Sequence, residues 1–283
     1  MSVQSVAPSS VESFRQVLPA PGLRDCIAFY SGYQQRGVPP RTHRGLPSPY
    51  LTLIVTFDEP LVIARHVDPR RTPGAYDTLI GGLHTTPAII THGGSQSGVQ
   101  LAVHPHGARS LFGLPAGELS GIDFELGELC APLARELQQR VQAASSWSQR
   151  FDAIDQVLLR AMDPARAPSP EVLQAWRILR SDAGTSTAAL ARRVGWSERH
   201  LRSRFVTEIG LTPKAASRVF RFDLARRDLQ RRGASGTFSL ADLAPAHGYY
   251  DQAHLAREFR ALAGCSPTRW LAEEFRNVQA SRP

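Results

Sequence analysis

The sequence predicts an α+β chain of two domains. A β-rich sandwich or small barrel with helices behind it comes first, and an all-α domain with two helix-turn-helix units joined by a linker helix follows. Three observations carry this expectation. Residues 23–104 hold short runs rich in Ile, Val, Phe, Tyr and Thr, whereas later residues show helical stripes. Between residues 163 and 170, Asp-Pro-Ala-Arg-Ala-Pro-Ser-Pro places three prolines in eight residues, which no helix continues through. The charge divides at the same place. Residues 1–167 hold 14 Arg and 14 acidic residues, and residues 168–283 hold 19 basic and 11 acidic ones, so the net charge of +8 belongs to the second part. A length of 283 residues suits two cores. The expected division is a disordered lead-in over 1–10, a β-rich domain over 11–162, a linker over 163–170 and a helical domain over 171–276.

Taken in order, the expected strands are Ile27–Tyr33, Tyr50–Phe57, Leu61–Arg65, Thr78–Leu83, Ala88–Thr91 and Val99–His104, separated by clusters of Pro, Gly and Asp. Gly107–Glu118 reads as an irregular or helical segment. Two helices follow, Pro132–Ala143 with Leu133, Leu137 and Val141 on one face, and Trp147–Met162 with Phe151, Ile154, Leu158 and Leu159.

Several function classes are excluded. Cys26, Cys130 and Cys265 are odd in number and far apart, which rules out a disulfide framework or a Cys-rich zinc site and suits reduced thiols. No apolar run approaches the roughly 18 residues of a membrane span, and the first ten residues lack the basic start of a secretory signal. A cytoplasmic protein without a membrane partner is therefore expected. Neutral and basic halves together suggest that the second half meets a polyanion.

The helical half repeats one arrangement. In Thr187–Ile209 the first helix turns Leu190, Ala191 and Val194 inward, Gly195 makes the turn, and Ser197 is placed to cap the next helix. That helix buries Leu201, Phe205 and Ile209 and shows Arg199, Arg202, Ser203 and Val206, with His200 at the edge. Such a face suits a major groove. In Ser239–Leu262 the inward residues are Leu240, Leu243 and Ala244, Gly248 makes the turn, and Asp251 is the capping acid. Leu255, Phe259 and Leu262 form the stripe. Gln252, Ala253, His254, Arg257 and Arg260 lie outward or at its edge. The turn glycines are 53 residues apart, and the exits match: Gly210-Leu-Thr-Pro213 and Gly264-Cys-Ser-Pro267. Pro245 should shorten or kink the helix before the second turn.

The segments LARRVGWSERHLRSRFVTEIGLTPK and LADLAPAHGYYDQAHLAREFRALAGCSPTRW resemble the paired motifs of the AraC/XylS family of bacterial transcription regulators, over about Glu171 to Phe275. The stretch GYYDQAHLAREFRALAGCSPTRW is the most specific, while APAHGYY departs from the family's uninterrupted helix. The resemblance implies a sequence-specific regulator bound to a double-stranded DNA operator, with Arg199, Arg202 and Ser203 reading bases in the first unit and Gln252, Ala253 and Arg257 in the second. It implies phosphate contacts from His200, His254, Arg260 and the segments near Thr187 and Thr268. It further implies a linker helix from Pro213 to about Arg232, a small-molecule effector or a homodimer partner, and a contact with RNA polymerase. No cofactor and no enzymatic activity are expected.

The first half is similar to the cupin-like N-terminal domain of one such subfamily, through GVQLAVHPHGARSLFGLPAGEL. It names no ligand. It also contains His43, His66, His84, His92, His104 and His106. On a strand, His104-Pro-His106 would point both rings one way, like a cupin metal motif. The alternative reading is therefore a cupin-like metalloenzyme domain fused to the DNA-binding module. Against it, no acid lies between Gly107 and Gly117. Loop or pocket-wall histidines are the expectation, with no metal.

Overall fold

Ten strands and ten helices are found among residues 11–234 and 239–274, which are those described in the computed structural model. The lead-in expected over 1–10, and the last two positions of the segment 171–276, lie outside the described residues.

The strands form two antiparallel sheets. One has six strands, in the order β1 (Val11–Val17), β2 (Ile27–Arg36), β9 (Gln96–Val103), β4 (Leu51–Thr56), β7 (Thr78–Gly81) and β10 (Asp123–Glu125). The other has four, in the order β3 (Arg41–Gly45), β8 (Ala88–His92), β5 (Leu61–Arg65) and β6 (Gly74–Tyr76). All six expected strands are present. The four that composition did not reveal are β1, β3, β6 and β10.

The central strand β4 reads LTLIVT, nearly all apolar, because both of its faces are covered. Ile54 joins Tyr33, Leu61, Ile63, Tyr76 and Ile90 in the space between the sheets. Leu51, Leu53 and Val55 face the other way, into the larger core with α2 (Leu126–Ala143) and α3 (Trp147–Ala161). The Phe151 ring stacks on Tyr30 at 6.1 Å, and the Tyr30 hydroxyl donates to Asp155 at 2.7 Å. The helix α2 begins earlier than its hydrophobic stripe suggested. A capping box between Glu125 and Glu128 starts it, and the backbone kinks at Cys130 two residues before Pro132.

His104 and His106 do not share a strand. Strand β9 ends at Val103, and Pro105–Gly107 forms a tight 3-10 turn, because proline gives no N–H to a ladder. The turn runs directly into the short helix α1 (Ala108–Phe112). The proline-rich connector holds one 3-10 turn, Pro164–Arg166, before α4 (Pro170–Ser181).

The remaining helices are α5 (Thr187–Arg193), α6 (Glu198–Ile209), α7 (Pro213–Ala234), α8 (Leu240–Ala246), α9 (Gln252–Ala263) and α10 (Pro267–Glu274). They share the large core with the strands. Trp176 of α4 is buried against Phe205 of α6 at 6.1 Å and Phe220 of α7 at 4.7 Å. Pro245 sits in the last turn of α8, where it ends the helix early without breaking the unit.

Candidate nucleic-acid interface

Helices α5 and α6 form the first unit and α8 and α9 the second. Each turn glycine has positive φ, 74° at Gly195 and 72° at Gly248, a backbone that a Cβ would strain. Each second helix is capped by a side chain. The Ser197 hydroxyl accepts the His200 N–H at 3.2 Å, and the Asp251 carboxylate accepts the His254 N–H at 2.7 Å. Each then ends in a left-handed glycine, Gly210 or Gly264, followed by a hydroxyl that caps the next helix. Thr212 accepts from the Ala215 N–H, and Ser266 from the Arg269 N–H. An aromatic ring after the turn meets a histidine edge-on in both: Trp196 with His200 at 4.6 Å and Tyr249 with His254 at 5.3 Å. The duplication therefore extends to individual contacts.

Leu201, Phe205 and Ile209 are buried along α6, and Leu255, Phe259 and Leu262 along α9. Arg199, His200, Arg202 and Ser203 are exposed, as are Gln252, Ala253, Arg257 and Arg260, while His254 is half-buried. The His254 Nδ1 accepts the Tyr250 N–H at 3.2 Å, which fixes the ring. The side chains of Arg199, Arg202, Arg257 and Arg260 take part in no hydrogen bond or ion pair among the described residues. Arg204 differs, since it pairs with Glu208 at 3.4 Å.

Helix α7 holds the units apart. Its 22 residues extend about 33 Å. Arg218 grips Glu258 of α9 through two bonds, at 2.8 and 3.1 Å, and Asp228 receives His247 at 2.9 Å. The Arg221 guanidinium lies over the Tyr249 ring and donates to the Gly248 carbonyl.

One residue escaped the sequence reading. The second turn is one residue longer than the first, and the extra residue, Tyr250, is 91% exposed at the start of α9. Comparing glycine-to-cap spacings, two residues against three, was the available signal.

The first unit is also tied to the β-rich part. Glu208, 3% exposed near the end of α6, receives two bonds from Arg109 of α1, at 2.6 and 3.1 Å. The Ser120 hydroxyl donates to the Gly210 carbonyl at 2.5 Å. Gly117 lies directly against the Val206 and Thr207 carbonyls, where any Cβ would collide. Arg44 of β3 reaches Glu273 of α10 at 2.8 Å.

The histidines are dispersed. His66 is buried and bonded to Asp123 and Tyr76, while His104 and His106 stack on each other at 5.0 Å. Burial, with nearby positive charges, pushes His104 down to about 3 and His106 to about 4. Among the described residues no group of three or more His, Cys, Asp or Glu is arranged to hold a metal ion. No helix is long and apolar enough to cross a membrane among those residues.

Residues 190–273 match the family model of a helix-turn-helix domain, and residues 15–124 that of a domain of unknown function, DUF6597. Among solved structures the chain is similar to ToxT from Vibrio cholerae, at 9% identity and a TM-score of 0.50, covering 94% of this chain and 98% of that one. A variant of apo ToxT from Vibrio cholerae strain SCE256 gives 10% identity and a TM-score of 0.50, covering 86% and 96%. The AraC-like transcriptional activator CuxR gives 14% identity, 74% and 78% coverage and a TM-score of 0.29. No curated protein matches the sequence. At these identities the likeness to ToxT is one of fold.

Proposed function

We propose that this chain, with a helix-turn-helix domain over residues 190–273 behind a β-rich domain, regulates transcription by reading an operator with α6 and α9 in successive major grooves. The observation that supports this most is the duplication. Two units with matching turn glycines, caps and exits each present cationic side chains that no acid among the described residues neutralises.

In this reading Arg199, Arg202 and Ser203 contact base edges in one groove, and Gln252, Ala253 and Arg257 in the next. Arginine bonds a guanine edge through two donors, and glutamine an adenine edge. His200, His254, Arg260 and the helix starts near Thr187 and Thr268 hold phosphates. A 33 Å linker helix is close to the 34–36 Å between successive grooves on one face. The β-rich domain tunes the reader through its contacts with α6 and α10, in response to a small-molecule effector or a second copy of the chain. RNA polymerase is the further partner of this scheme.

The test is selection of bound duplexes from a random library by the full-length protein at physiological salt. Two sequence blocks about one helical turn apart are expected. Uniform, steeply salt-dependent binding to all duplexes would show a nonspecific DNA binder instead.

A further inference from the structure

Two successive tyrosines of the second turn have opposite surroundings. Tyr249 is buried, while Tyr250 is 91% exposed, well beyond Leu18 at 66%, the next of the large apolar side chains among the described residues. The Tyr250 hydroxyl takes part in no hydrogen bond among those residues. The first unit has no counterpart. Its turn passes from Trp196 directly to the capping Ser197, and Trp196 is half-buried beside His200.

We infer that Tyr250 anchors the second unit to the DNA backbone, its hydroxyl donating to a phosphate at the edge of the second sequence block. This contact rests on the DNA-reading role proposed above. Its place supports it, for Tyr250 lies just ahead of the capping Asp251, at the leading end of the helix assigned to the groove. Its main chain is held from two sides. The Tyr250 N–H donates to His254 Nδ1 at 3.2 Å, and the His254 N–H to Asp251 at 2.7 Å. From α7, Arg221 fastens the same turn through the Gly248 carbonyl and the Tyr249 ring. Few side-chain torsions then remain to be ordered on binding, so a tyrosine here loses little entropy. The residue type also fits. A lysine or arginine beside the exposed Asp251 would be drawn into an ion pair, whereas a tyrosine hydroxyl is not. Tyrosine is among the side chains that commonly bond phosphate oxygens.

This anchor differs from the arginine contacts in two ways. A bond to phosphate carries no sequence information, so it strengthens binding to every duplex. A hydroxyl brings no charge, so it releases no counterion and leaves the salt dependence of binding as it is. The second unit therefore holds the duplex by a neutral contact that the first unit lacks.

The experiment is titration of the full-length protein onto the selected operator and onto an unrelated duplex, at several salt concentrations, as wild type, Tyr250→Phe and Arg260→Gln. The exposed ring and the N–H bond to His254 survive the exchange to phenylalanine, so that variant keeps its fold. Tyr250→Phe should bind both duplexes about tenfold more weakly, with the salt slope of the wild type. Arg260→Gln, which removes a charge, should lower that slope by about one. Among operators carrying a single methylphosphonate, one should cost the wild type about tenfold in affinity and Tyr250→Phe much less. Wild-type affinity in Tyr250→Phe overturns the contact, as does the absence of any such phosphate. A loss on the operator with the unrelated duplex unaffected would assign the hydroxyl to a base and overturn the phosphate contact. A wild type that binds no duplex overturns the DNA-reading role and this contact together. Tight wild-type binding that Arg202→Ala and Arg257→Ala weaken, with Tyr250→Phe unchanged, overturns this contact alone.

Discussion

Arg202 and Arg257 stand at the centre of the two proposed reading faces, for the side chain of each is exposed and has no ion-pair partner among the described residues. Arg202→Ala and Arg257→Ala should each weaken operator binding by roughly 1–3 kcal/mol and relax the sequence requirement in one block only. Competition binding with altered duplexes reads both effects, and wild-type affinity in both variants would remove the face from consideration. Two other residues should show themselves through acid. His104 and His106 sit below their ordinary value of 6.5, at about 3 and about 4, chiefly through burial. Protons therefore bind the unfolded chain first. The stability held in neutral rings is complete above about pH 6.5 and falls as the pH drops toward 4. The slope is at most about 1.4 kcal/mol per pH unit for each ring. Urea midpoints between pH 7.5 and 5 should fall less steeply in His104→Gln or His106→Gln than in the wild type.

The elements differed in how plainly the sequence announced them. All six expected strands lie inside a sheet, where two-sided burial demands apolar residues, as in LTLIVT of β4. The four unannounced strands, β1, β10, β3 and β6, are the four sheet edges. An edge is paired along one side and stays polar; β3 reads RTHRG. The reading helices were legible because caps, turn glycines and stripes are local features. The clamp on α6 was not, since Arg109 and Glu208 are 99 residues apart and each resembles an ordinary surface charge. Removing one partner of a mostly buried pair leaves a charge out of water. Arg109→Ala should therefore destabilise the protein by about 3 kcal/mol, a loss softened by Arg204. Hydrogen exchange should rise first along the end of α6. A melting temperature equal to that of the wild type would show the clamp to be idle.

For the whole molecule, charge and core give different divisions. The charge separates cleanly near residue 167, yet the apolar interior runs on from the strands through α4 into the helices. A fragment of residues 168–283 should accordingly retain duplex DNA in a gel, and residues 1–167 should not. That fragment should also melt at a lower temperature than the full chain, because the buried Glu208 loses Arg109 and the Gly210 carbonyl loses Ser120. DNA held by the first fragment would contradict the division of labour.

Gly117 gives this joint a genetic signature. There the β-rich part meets the α6 carbonyls backbone to backbone, without room for a methyl group. Contacts made by side chains can be adjusted in small steps, as one residue is exchanged for a slightly larger or smaller one. This one has no smaller neighbour to move to, and every single-base change that alters the residue adds at least a Cβ. Alanine, serine, aspartate and arginine should therefore produce the same phenotype, graded little by size or charge. Mutants selected for promoter output freed from its usual control should recur at this codon with chemically unrelated replacements. Codons for Arg109 and Ser120 should instead yield a graded series.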